Sequence, residues 1–117
     1  MSAAYPGGPE SWTCTRCRVT ASWMPGSESG GRPANWRHVG GELHCLGCRR
    51  EVAADEALDA APADDTAAGR SKARTAAMIE FEIRRVPGRA NSVIARACRT
   101  SVPAVAKARA RIGIPVA

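Results

Sequence analysis

The sequence predicts an α+β chain in two parts, a small cysteine-stapled β module followed by a three-helix module. Three observations carry this. Two Cys-x-x-Cys pairs, Cys14/Cys17 and Cys45/Cys48, bracket a stretch with strand-like alternation. Apolar residues recur at spacings of three and four from Ala76 onward, as on one face of a helix. Charge also divides the chain. Residues 1–50 carry six basic and three acidic groups, residues 51–70 one and six, and residues 71–117 ten and two. All three Trp fall in the first part and the single Phe in the last. The expected boundaries are therefore 10–50 for the β module, 51–70 for an acidic Ala/Asp-rich linker, and 71–117 for the helical module.

The cysteines come first because a module of this size needs a staple to fold. Four thiolates in two tight turns can close a tetrahedral shell around one structural zinc ion, with Zn–S near ~2.3 Å. Such binding supplies on the order of 10–16 kcal/mol that is also folding energy. The expected ligands are Cys14, Cys17, Cys45 and Cys48. Other chemistries compete for them. A redox pair would want a thiol acidified by a helix N-terminus, and disulfides would want an oxidising compartment. His38 or His44 could also replace a cysteine in the shell.

Between the pairs, residues 19–24 alternate apolar and small polar side chains and predict a strand. Residues 25–33 are rich in Gly, Ser and Pro and predict a mobile loop. Asn35 to Val39 predicts a second strand, with Trp36 and His38 on one face. Gly40-Gly41 then turns the chain into Glu42 to His44 and the second cysteine pair. Turn, strand, loop, strand, turn around four cysteines describes a zinc ribbon. Trp12 is placed to cover the metal, and Trp23 and Trp36 are exposed candidates for a protein contact.

Glu51 to Ala61 is alanine-rich enough for a short helix, and residues 62–69 are expected to be linker. Asp59, Asp64 and Asp65 in this stretch could fold back on the basic module and compete with its ligand. Ser71 is a candidate N-cap for a helix with Ala76, Ile79, Ile83 and Val86 on its inner face, ended by Pro87-Gly88. Asn91 or Ser92 can cap the short helix Val93 to Cys98. A last helix follows Ser101, with Pro103 tolerated in its first turn and Gly113 and Pro115 ending it. Val105, Ala108 and Ile112 point inward. The arrangement is that of a helix-turn-helix.

The stretch from Ile94 to Arg109 resembles helix-turn-helix DNA-binding domains of bacterial and phage regulators, which commonly read I-A-x-x-[L/C]-G-[V/T]-S-x-x-T-V-x-x-x-R. Ala95 matches the small residue at the helix crossing, Ser101 the cap of the recognition helix, and Val105 its buried position. Residues 12–50 are similar to zinc ribbons of small phage and actinobacterial proteins. Two positions depart from the helix-turn-helix pattern: Arg99 stands where the family usually has glycine, and Ala104 replaces the common polar residue facing DNA.

The resemblance implies that helix 103–112 lies in the major groove of double-stranded DNA. Lys107 and Arg111 are four apart and form a basic stripe suited to guanine or phosphate. Arg96, Arg99, Arg109 and Arg89 are expected phosphate contacts, as are Arg84 and Arg85, with Ser101 and Ala104 at the same face. The implied function is that of a zinc-containing transcriptional regulator of an actinobacterium or its phage. Two other readings are an adaptor that grips a host protein such as RNA polymerase, and a phage packaging or recombination accessory factor. A homodimer would double the contacts of one helix. An enzyme is not expected: the sequence has no nucleophile triad, H-E-x-x-H or phosphate-loop motif, and Glu80 and Glu82 face different ways on one helix. No apolar run reaches about 20 residues, and the first eight residues lack an export pattern. The expected location is the cytoplasm.

Overall fold

The structure is a computed structural model that describes residues 11–23 and 31–116. The loop expected at residues 25–33 and the opening residues lie largely outside the described residues. The chain has two compact units, with the boundary between Arg49 and Arg50.

The first unit holds two antiparallel hairpins. Strands β1 (Ser11–Thr13) and β2 (Thr20–Ser22) pair Ser11 with Ser22, Trp12 with Ala21 and Thr13 with Thr20. The period of two puts hydroxyls on the outer face, where Ser11 bonds Ser22 and Thr13 bonds Thr20, at 3.0 and 3.1 Å. Trp12 and Ala21 turn the other way, onto a small core of Cys14, Trp36, Leu43 and Cys48. Strands β3 (Arg37–Val39) and β4 (Glu42–His44) form the second hairpin, joined through Gly40, whose φ of 60° suits a residue without Cβ. The Thr15 N–H donates to Leu43 O and the Leu43 N–H donates to Thr15 Oγ1, at 2.8 and 3.0 Å, locking the hairpins together.

Three expectations for this unit change. Ser11–Thr13 forms strand β1, whereas the sequence predicts only a Trp12 that covers the metal. The second strand is Arg37–Val39 and not Asn35 to Val39, so Trp36 lies before it, buried while His38 is exposed, and Trp36 is not a free contact. Trp23 is half-buried, its Nε1 donating to Gly31 O at 2.7 Å.

Helix α1 (Leu46–Ala60) begins inside the second cysteine pair and crosses the unit boundary. Residues 51–60 are thus helical, leaving only Ala61 to Thr66 as connection. Helix α2 (Ala67–Arg85) starts earlier than Ser71 predicts: Thr66 is its N-cap, with Oγ1 accepting from the Gly69 N–H at 3.0 Å. Helix α3 (Asn91–Cys98) has Ala90 at its N-cap and no side-chain cap, because the Asn91 carboxamide accepts from Arg109 instead. Helix α4 (Val102–Ile112) follows the expected chemistry. The Ser101 hydroxyl accepts from the Ala104 N–H at 3.2 Å, a proline stands in the first turn, and Gly113 closes the helix at φ 73°. The three helices bury one core of Ile79, Ile83, Ile94, Ala95, Cys98, Val105 and Ala108.

Two buried ionic groups pin this core. Glu82 is fully buried and binds Arg50 at 2.9 Å and Arg85 at 2.7 Å, with Arg89 at 3.5 Å. Burial pushes its carboxyl up, but hydrogen bonds from Arg85 and Arg50 outweigh that and hold it below the ordinary carboxylate value. Arg109, only 4% exposed, donates to Asn91 Oδ1 and to the carbonyls of Pro87, Arg89, Ile114 and Pro115.

Candidate metal centre and basic helical surface

The four ligand sulfurs of Cys14, Cys17, Cys45 and Cys48 lie within 4.8 Å of one another. Cys17 Sγ and Cys45 Sγ are 3.7 Å apart. A tetrahedron with metal–sulfur bonds of about 2.3 Å has edges of about 3.8 Å, so the donors are spaced for a shared ion. All four are free thiols, and 3.7 Å is far beyond a sulfur–sulfur bond. His38 and His44 are not in this group; His44 bonds Glu42 Oε1 at 2.8 Å.

The backbone prepares the site for anionic sulfur. Cys14 Sγ accepts from the N–H groups of Cys17 (3.5 Å) and Cys45 (3.4 Å). Cys45 Sγ accepts from the Cys48 N–H, in the first turn of α1, at 3.5 Å. Burial pushes the Cys14 thiol up, yet the N–H groups of Cys17, Cys45 and Arg16 bring it down to about 6. Burial raises Cys45, and burial together with the neighbouring sulfurs raises Cys48. Sulfurs this close cannot all ionise without a cation among them; a divalent ion relieves that repulsion and draws off the protons. Arg18, next to the first pair, holds a positive φ of 68° to make the turn.

The residues expected to contact DNA separate into two sets. Arg96, Arg99 and Lys107 are exposed. Arg99 is the αL residue that ends α3 (φ 56°, ψ 49°), a backbone conformation that favours glycine and is held here by an arginine. Arg111 is half exposed and bonded to Glu80 at 2.7 Å. The others are engaged internally. Arg109 is buried and its guanidinium fully bonded, which removes it from the exposed basic surface. Arg89 reaches toward Glu82, Ala104 packs partly buried against the core, and Ser101 is occupied as a cap. Of the linker carboxylates offered as competitors, Asp65 accepts from the Thr66 N–H at the start of α2, while Asp59 and Asp64 are exposed. Asp55 does reach the basic module, binding Arg74 at 2.9 Å.

A groove of about 400 Å³ runs between α2 and α4, and sequence reasoning missed its α2 wall of Ser71, Lys72 and Thr75. The available signal was the i, i+4 spacing of Ser71 and Thr75 with Lys72 beside them. Among the described residues no helix is long and apolar enough to cross a membrane. No protein-family model matches the chain, and neither a curated protein nor a solved structure matches it.

Proposed function

We propose that the chain is a zinc-containing DNA-binding protein of the helix-turn-helix kind, with α4 entering the major groove and the four cysteines holding one structural zinc ion. The supporting observation is where the charge goes. Both carboxylates of residues 71–117 are consumed internally, Glu82 by three arginines and Glu80 by Arg111. Lys72, Arg84, Arg96, Arg99 and Lys107 are left exposed. Five phosphate contacts give a salt slope of about −4.5, so affinity for duplex DNA should fall by about 10²–10³ between 50 and 200 mM salt. Fluorescence anisotropy with random duplex measures this, and a flat response rejects the reading. For the metal, cobalt substitution should give the intense visible bands of a tetrahedral tetrathiolate; their absence would reject four-sulfur coordination.

A protein partner, such as a polymerase subunit, is the second reading. It is favoured by Val93 and Val102, 41% and 45% exposed, with exposed Ala106 and Ala110 beyond them on α4. In that reading the Val102→Ser variant loses its partner, and Lys107→Ala is silent on it.

A further inference from the structure

We propose that the groove between α2 and α4 binds a nucleotide unit, with the phosphate at its cationic rim and the sugar on its apolar floor. The rim carries Lys72 from α2 and Lys107 and Arg111 from α4. One carboxylate, Glu80, offsets Arg111, so the rim keeps a net positive charge. Hydroxyls line both walls, Ser71 and Thr75 on one and Thr100 on the other, beside the Ser101 that caps α4. The Thr100–Ala104 wall is also the amino-terminal end of α4, where the helix dipole is positive. The floor is made of Ala76, Ile79 and Ala104, side chains that offer no hydrogen bond and suit the carbon face of a ribose.

Charge and hydroxyls alone would suit any oxyanion. The apolar floor beneath them selects a phosphate attached to carbon, and the volume of about 400 Å³ accepts one nucleotide rather than a bare ion. The α2 wall adds contacts that α4 alone cannot make. This assignment deepens the DNA-binding reading, in which the unit is part of a strand; a free nucleoside monophosphate has the same chemistry.

The test uses the zinc-loaded full chain, with Lys72→Gln and Thr75→Val as variants, both on the α2 wall. Circular dichroism checks that both fold. Lys72→Gln should lower duplex affinity about tenfold and the salt slope by about one, as loss of any contacting cation does; the groove is read from uncharged Thr75→Val, which should lower affinity severalfold at an unchanged slope. Wild-type affinity in Thr75→Val would overturn the groove while leaving the DNA reading standing. If the wild type binds no duplex, the DNA reading fails and nuclear magnetic resonance titration decides the groove. Saturating shifts of the Thr75, Thr100 and Ser101 amides with thymidine monophosphate, weaker with inorganic phosphate, support a free-nucleotide site. No shift with either overturns it.

Discussion

Arg109 lies two residues beyond Lys107 on α4, yet its guanidinium turns inward to five oxygen acceptors while the Lys107 side chain stays exposed. The difference is one of angle: Arg109 falls beside buried Val105 and Ala108 on the helix, whereas Lys107 falls opposite. Arg109→Met should therefore cost on the order of 3 kcal/mol in urea unfolding, because charged hydrogen bonds are lost and buried carbonyls left unpaired. Lys107→Met should stay within about 0.5 kcal/mol. Equal costs would contradict the placement. Glu82 makes a second prediction. Its folded-state value is depressed, so the stability it contributes is present above the ordinary value of 4.5 and is lost as pH falls through the folded value. Glu82→Gln leaves three arginines facing a neutral amide, and should cost about 3–5 kcal/mol near neutral pH and flatten the acid limb of stability against pH.

At the scale of elements, the turn between α3 and α4 is where local chemistry is most explicit. Arg99 holds αL geometry that a side chain resists, so Arg99→Gly should raise stability by about 1 kcal/mol while removing one exposed cation. Ser101→Ala should lower it by about 1 kcal/mol through loss of the cap. Opposite signs from neighbouring residues, read by thermal unfolding, are the check. This turn and the helix after it were legible in the sequence because their signals are local: a hydroxyl at the cap, proline in the first turn of α4, and glycine where α4 ends. Other elements were less legible for the same reason. The acceptors that hold Arg109 come from Pro87, Arg89 and the segment after α4, distances no helical wheel sees. β1 has three residues, and its evidence is the cross-strand match with β2. Asn91 looked like a cap, but its carboxamide was claimed by Arg109 from another helix.

For the molecule as a whole, the two units rest on different forces. The helical unit has an apolar core and two ionic pins, whereas the described residues of the hairpin unit bury little beyond Trp36, Leu43, His44, Cys14 and Cys48. With one zinc ion bound as proposed, a strong chelator should therefore abolish the near-ultraviolet signal of Trp12 and Trp36 while the helical signal of residues 67–112 persists. Simultaneous loss of both would show that the helices also depend on the metal. The site cysteines were legible from spacing alone, since Cys-x-x-Cys is a local device. Net charge was a weaker guide to the surface, because Arg85, Arg89, Arg109 and Arg111 of the basic segment all have internal partners.

The sulfur of Cys45 accepts from the Cys48 N–H in the first turn of α1. Starting a helix is the slow, unfavourable step, with a nucleation constant on the order of 10⁻³. An ion that clamps Cys45 and Cys48 fixes that first turn before any other residue of α1 is committed. Under the proposed metal binding, capture of the ion would be a kinetic trigger as well as a source of stability. In a rapid-mixing experiment the growth of α1 should follow metal concentration, while α2, α3 and α4 form at a rate indifferent to it.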